Sequence, residues 1–380
     1  MKGIFCAAAI NLIAAMLLLG GVAQARTKLA ALPERSNVAI KLDNKGATLI
    51  EEERVITLQK GMNKVDFSWQ GVSIDENSIL LSILSHPDKV RLISVSYPPK
   101  ESALVWEIYS EGAFNERVRI SYLLSQIDSL TAYTGTTDAD EKTMELKGFL
   151  IVRNFSGEDF SGAEIAPGYG SDVKENIADE ETRKVQVMDV KDIPVEKVWL
   201  FDSRKQPWEP DRERTNVGIP VYYRILNNTA NGLGAYAMPA GKVRLYQEDG
   251  HGGSIFLGED NSPVVPVGEK MKIYIGDSRD IVVTQKKMER KILNERWKEV
   301  NGIRKRVKYD LEETVKATIE NHKNKKATLT MLEHLPREWE MIECNMKYKR
   351  KSFDTIRFKV ELPPDGKKEL TMHYIVRNIL

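Results

Sequence analysis

The sequence predicts an all-β fold: two or three antiparallel β-sandwich modules, immunoglobulin-like, with a long β-ribbon near residues 286–316. Three observations lead there. Apolar residues recur at every second position in run after run. Gly, Pro and Asn separate the runs, and no helical spacing is sustained beyond the first 25 residues. A strand with one apolar face buries it against a second layer, which in an all-strand chain means a sandwich or a barrel.

The chain opens with Lys2, an apolar run from Ile4 to Leu19 broken only by Asn11, and Ala23-Gln24-Ala25. This is the layout of a signal peptide over residues 1–25, cleaved to leave Arg26 first. The run weakens at Gly20-Gly21, short of the ~20 apolar residues that span a bilayer. The expectation is a periplasmic or extracellular protein that does not span a membrane after cleavage.

An N-terminal β module is expected over 26–112. Val38, Ile40 and Leu42 alternate with Ala39 and Lys41, and turns fall at Asn44-Lys45-Gly46 and Gly61-Met62-Asn63. Pro98-Pro99 breaks a later run, because proline cannot donate to a ladder. A central β domain follows over 113–280, with Val118, Ile120, Tyr122 and Leu124 on one face and Met271, Ile273 and Ile275 repeating the pattern. Two polar stretches inside it, 171–192 and 204–216, read as surface excursions.

The last module, 281–380, holds the ribbon and a C-terminal sandwich in which Val315, Ala317 and Ile319 again alternate. Met288 to Val300 has good helix propensity, but Asn301-Gly302 is a strong two-residue hairpin signal. Pairing about that turn sets Val300 opposite Ile303, Ile292 opposite Leu311 and Met288 opposite Val315. It also sets Glu299 against Arg304, Glu295 against Lys308, Lys291 against Glu312 and Trp297 against Arg306, with Lys298 against Lys305 as the one pair that disagrees. A helix brings none of these together. Further on, Ile356 to Leu362, the turn Pro363-Pro364-Asp365-Gly366 and Leu370 to Val376 read as a hairpin. Val152-Arg153-Asn154, Ile225-Leu226-Asn227, Ile319-Glu320-Asn321 and Val376-Arg377-Asn378 each close an apolar run on Asn, an echo without a fixed period.

Removing 25 residues leaves 355, with 55 basic and 55 acidic side chains. No global field favours nucleic acid, which is not an expected partner. The charged share of 29% and hydrophobic share of 42% call for packed cores rather than disorder. Cleavage also removes Cys6, so Cys344 stands alone and no internal disulfide is available. It is expected to be a half-buried structural thiol.

Residues 113–170 and 215–380 resemble the bacterial domain of unknown function numbered 4139, found in exported, mucoidy-inhibitor-like proteins. The likeness rests on Val118 to Tyr122, Gly148 to Asp159, Met238 to Tyr246, Phe256 to Glu259 and the C-terminal strand pair. It implies a β-rich exported domain with no assigned reaction.

No catalytic, cofactor-binding or metal-binding set emerges, and no cofactor is expected. His86, His251, His322, His334 and His373 form no two-His metal spacing. His251 sits in the glycine-rich turn Asp249 to Gly253, and His322 and His334 are expected at the surface. Asp138-Ala139-Asp140-Glu141 lacks the glycine and spacing of an EF-hand. Trp199 and Trp208 are the candidate aromatic platforms for a sugar. The remaining candidate is a basic patch at Arg304, Arg306 and Lys308. Ten Lys or Arg lie against three Glu between Lys286 and Lys308. The expected role is a non-enzymatic protein that binds a cell-envelope polymer or a protein partner. The alternative is an envelope hydrolase using a carboxylate pair.

Sequencing the N-terminus of the exported protein is expected to begin at Arg26. An intact Met1 on a membrane-bound product contradicts that reading.

Overall fold

Alternation in the sequence becomes alternation in burial almost everywhere along the computed structural model, which describes residues 32–42, 44, 46–205, 214–216, 218–335 and 338–380. The expected signal peptide over residues 1–25 and the expected mature start Arg26 lie outside the described residues, as does Trp208. Among the described residues the regular structure is strand, with two single-turn 3-10 helices, and the fold is an all-β sandwich. None of their helices is long and apolar enough to cross a membrane.

The chain parts into two compact units, one of residues 32–40, 47–125 and 156–158, the other of residues 41–46, 126–155 and 159–380. The first carries β1 (Asn37–Lys41), β2 (Thr48–Leu58), β3 (Gly61–Ser68), β4 (Leu80–Ile83), β5 (Val90–Ser96), β6 (Ala103–Ser110) and β7 (Phe114–Leu124). β1, β2, β7 and β4 lie side by side in that order, and β3, β6 and β5 form a second sheet. The alternating residues Ile50, Ile56, Leu58, Val118, Ile120 and Tyr122 are buried, as are Val65, Phe67, Leu104, Trp106 and Ile108. Phe67 stacks on Trp106 at 5.5 Å. Glu52 is wholly buried here and is held by Arg54 (3.0 Å) and Arg35 (2.5 Å). A charge removed from water needs such partners.

The second unit begins with β8 (Ile127–Thr137), β9 (Thr143–Asn154), β10 (Phe160–Ala166), β11 (Val173–Ile177), β12 (Glu181–Pro194) and β13 (Glu196–Asp202). Then come β14 (Arg214–Asn216), β15 (Ile219–Leu226), β16 (Gly241–Glu248), β17 (Ser254–Ser262) and β18 (Lys270–Ser278). The ribbon strands are β19 (Ile281–Val300) and β20 (Ile303–Asn321). The chain closes with β21 (Ala327–His334), β22 (Trp339–Cys344), β23 (Tyr348–Arg350), β24 (Thr355–Leu362) and β25 (Lys367–Ile379).

Three sheets dominate this unit, in the orders β12-β9-β8-β16-β17, β18-β15-β13-β21-β24-β23 and β14-β19-β20-β25-β22. The middle one seals both others. Its β13, β21 and β24 pack Phe201, Leu329, Met331, Phe358 and Val360 against Val283, Val315, Ile319, Met372 and Tyr374 of the ribbon sheet. Its β15 and β18 place Tyr223, Ile225, Met271 and Ile273 in a second core with Tyr133, Met144, Leu146 and Val243. β13 pairs with β21 and β8 with β16 in parallel, whereas β9, β15, β20 and β24 meet their described partners antiparallel.

Two readings are corrected. The polar stretch 171–192 is not a loop: it contains β11 and most of β12, and β12 pairs with β9 from Glu181↔Asn154 to Pro194↔Thr143. An edge strand needs no apolar outer face when its neighbour supplies the ladder, so composition alone hid it. The C-terminal hairpin is also not a paired hairpin. β24 pairs with β21 and β25 with β20, so the Pro363–Gly366 turn carries the chain from one sheet to the opposite one. The inward residues are those expected, since Ile356, Phe358, Val360, Leu362, Leu370, Met372, Tyr374 and Val376 are all buried. They meet across the sandwich rather than along a ladder.

The Asn echo has a structural basis. Asn154, Asn227 and Asn321 are buried, and each ties strand-end loops together. The Asn227 amide donates to Tyr236 O (3.1 Å) and Val265 O (3.0 Å), and its Oδ1 accepts from Gly234 N (2.8 Å). Asn321 donates to Lys325 O and Pro363 O and accepts from Lys323 N. Asn154 donates to Ala178 O. Asn378 differs, being half-buried and left-handed at φ 55°, with its amide on Glu338.

Asn227→Ala removes three hydrogen bonds from a buried corner and is expected to cost about 2 kcal/mol or more. A urea titration reads this as a lowered midpoint with an unchanged slope. Asn378→Ala is expected to move the midpoint much less.

Candidate functional site: the basic ribbon and its anchor

The ribbon forms because nineteen- and twenty-residue strands meet at a two-residue turn. Asn301 and Gly302 take φ of 52° and 74°, the positive values that a tight, strand-matched turn requires. β19 pairs with β20 along their whole length, with no helix over 288–300. Val300↔Ile303, Glu299↔Arg304, Lys298↔Lys305, Trp297↔Arg306, Ile292↔Leu311 and Lys291↔Glu312 are paired as the sequence predicts.

Three bulges change the remaining register. Met288 is an extra residue, so Lys287 rather than Met288 stands opposite Val315. Asn294 and Glu295 together occupy the place facing Tyr309, and Val307 is extra on the returning strand. Arg296, not Glu295, therefore pairs with Lys308. Asn294 is left-handed at φ 53°, which Asn accepts at low cost. Asp310 fixes this kink by accepting from Asn294 Nδ2 and from the Asn378 N–H, both at 2.9 Å. Those two bonds hold its carboxyl below the ordinary aspartate value.

The Val307 bulge divides the expected patch. Paired residues share a face and neighbours along a strand alternate. Arg304 and Arg306 therefore lie on the Trp297 face, and Lys308 goes with Arg296 to the other. Arg304 covers the Trp297 ring at 5.2 Å, while Arg306 lies over Tyr309 at 4.4 Å and reaches Glu295 at 3.3 Å. The expected Trp297–Arg306 ring contact is thus made by Arg304, the diagonal neighbour. The second face carries Arg296 against Lys308 and Lys298 against Lys305. Among the described residues, no carboxylate forms an ion pair with Lys298, Lys305 or Lys308. Sequence pairing gives Lys298 with Lys305 but not Arg296 with Lys308, which depends on where the bulges fall.

The base of the ribbon is held by a polar set inside the sandwich. Lys287 pairs diagonally with Glu313 of the partner strand, and Glu313 also accepts from the Tyr374 hydroxyl at 2.8 Å. Deeper in, Gln285 Nε2 donates to Glu333 Oε1 at 2.9 Å, joining the ribbon sheet to the middle sheet. Glu333 is buried, and desolvation pushes its carboxyl up to about 8 even though Gln285 and Ser203 bond to it; the Asp202 charge adds to the rise. The Tyr374 hydroxyl, raised first by burial, also feels the Glu333 charge. Gln285 Oε1 is buried without a hydrogen-bond partner.

The neighbouring His334 corrects the surface expectation for that residue. Its Nε2 lies 2.9 Å from Asp202 Oδ1 and its Nδ1 3.0 Å from Thr355 Oγ1. Hydroxyl, imidazole and carboxylate in series have the composition of a nucleophile relay. Here the Thr355 hydroxyl is also bonded to Asp354 (2.9 Å), which pairs with Arg204 and Ser352. The cluster ties together the ends of β13, β21 and β24. His322 and His251 are exposed, His86 rests on buried Glu116, and His373 on Glu312.

The other candidates are engaged in structure. Trp199 is buried in the core rather than offered as a platform. The Asp138 carboxylate accepts from Lys142 N, Thr143 N and Thr143 Oγ1, while Asp140 pairs with Lys142. Glu141 takes Lys197 and the Tyr223 hydroxyl. Among the described residues no group of three or more His, Cys, Asp or Glu is placed to hold a metal. Cys344 is half-buried with its thiol on Met346 O, and burial raises its pKa. The chain matches no protein-family model, no curated protein and no solved structure.

Because Glu333 is raised on folding, between its ordinary value near 4.5 and about 8 the folded chain keeps a proton that the unfolded chain has lost. Its contribution is complete below that window and fades as pH rises through it. Glu333→Gln is expected to flatten the fall in melting temperature between pH 5 and pH 8.5. An equally steep fall in the variant removes Glu333 as its source.

Proposed function

We propose that the chain is an exported, non-enzymatic β-sandwich protein whose ribbon binds an anionic component of the cell envelope. The observation that carries this reading is the face on which Arg296 opposes Lys308 and Lys298 opposes Lys305. Like charges directly opposite one another destabilise a ladder. A sequence that keeps two such pairs, with no ion pair to Lys298, Lys305 or Lys308 among the described residues, is organised for a negative ligand rather than for its own stability. Arg304 and Arg306 add two cations on the other face, each already oriented by an aromatic ring.

The envelope location is supported by the signal-like N-terminus, and the resemblance to the exported domain numbered 4139 agrees with it. Overall charge balance makes the attraction local, acting within a Debye length of about 8 Å at physiological salt. A cell-envelope polymer with closely spaced phosphates or carboxylates meets that requirement.

Heparin resin serves as a generic polyanion. The wild-type protein is expected to be retained at about 0.15 M salt and released as salt rises. Reversing Arg304, Arg306 and Lys308 to Glu is expected to weaken retention about 100-fold, at roughly 1 kcal/mol per cation. Equal retention of wild type and variant, with matching circular dichroism, overturns the ribbon as the binding element.

A further inference from the structure

We infer that the anionic component met by the ribbon is the surface of a lipid bilayer, into whose interfacial layer the ribbon tip seats. This rests on the reading of the ribbon as the binding element and adds what the cations alone do not specify. A soluble polyanion needs only positive charge. The ribbon interleaves its charge with apolar side chains held in water: Ile303 is 61% exposed, Trp297 44% and Val307 36%. No packing within the fold explains these exposures. A partner that is anionic at its surface and apolar beneath accounts for both sets of residues.

The order along the ribbon fits that layering. Ile303 adjoins the Asn301-Gly302 turn and leads the tip. Trp297 is four residues behind Asn301, about 13 Å at ~3.3 Å per residue. Interfacial segments bury their leading apolar residues about 5–10 Å deep, which takes in Ile303, while tryptophan rings concentrate at headgroup level, where Trp297 stays. Lys298, Arg304 and Lys305 lie between Ile303 and Trp297 along the two strands, at the depth of the headgroup phosphates. Between residues 296 and 308 there are six basic side chains and a single acid, Glu299, which pairs with Arg304. The rigidity needed to present such a tip comes from the cross-strand contacts and from Asp310 at the kink.

Vesicle co-sedimentation of the full mature chain tests the inference. The vesicles are phosphatidylcholine alone, or phosphatidylcholine with about 30% phosphatidylglycerol. Wild type is expected to sediment with the anionic vesicles and not with the neutral ones, and less so at high salt. Ile303→Ser is expected to weaken vesicle binding at least about tenfold while heparin retention stays unchanged. Trp297→Ala gives a second readout in the same direction. Ile303 is far from any core, so the variant folds as wild type does. Heparin retention without vesicle binding overturns the lipid surface and leaves a polymer as the ligand. Unchanged vesicle binding in both apolar variants also overturns it. Failure on heparin and vesicles alike removes the binding ribbon itself.

Discussion

One face of one strand serves two cores, and the larger unit depends on it. Along β15, Ile219 and Val221 belong to the core shared with the ribbon sheet, while Tyr223 and Ile225 belong to the core shared with β8, β9 and β16. All four are buried within 5% exposure, and Ile275 on the adjoining β18 touches both sets. With a lone cysteine and no α-helix among the described residues, apolar burial carries the stability. Each such side chain is worth about 1.5–3 kcal/mol when fully buried. The two cores are thus mechanically joined: a cavity opened at Val221 or Tyr223 is felt on either side.

That arrangement positions the ribbon. β20 is held against β25 from Tyr309 to Glu320 and β19 against β14 from Val283 to Gln285, and beyond these partners the two strands run on to the exposed Asn301-Gly302 turn. An isolated two-stranded ribbon is marginal in water. This one is steadied by aromatic–cation contacts near the tip and by Asp310 at the kink. The charge balance of the whole chain conceals this local surplus, because the acids sit elsewhere and answer to other lysines.

Much of the fold is legible in the sequence because period-two patterning states which face of a strand goes inward. It identified Val38, Ile120, Ile273, Val315 and Phe358 as core residues without any partner in view. It does not state which strand lies alongside. The turn at Pro363–Gly366 looked like a hairpin because two alternating strands flank it, yet burial is equally satisfied when the strands face each other from opposite sheets. β12 was hidden for the converse reason, since its ladder comes from β9 and its outward residues are polar. At the ribbon, the two-residue turn fixed the register near the tip. The bulges at Met288, Asn294 and Val307 are single-residue insertions that alternation does not reveal, and with them comes the split of Arg304 and Arg306 from Lys308. His334 was misplaced because its carboxylate and hydroxyl partners come from strands far away in sequence.

The parallel pairing of β13 with β21 sets Trp199 beside Leu329 and Phe201 beside Met331. Neither residue can find its neighbour until most of the chain exists. Contacts this distant close slowly, since the loop entropy is spent before any contact rewards it. A nascent chain ending before residue 327 therefore holds β13 with an open edge and an uncovered Phe201, a form open to misassembly with other chains. Completion of residues 327–380 acts as the step that commits the larger unit to its native topology. Truncation from the C-terminus is then far more damaging than its distance from the second core suggests.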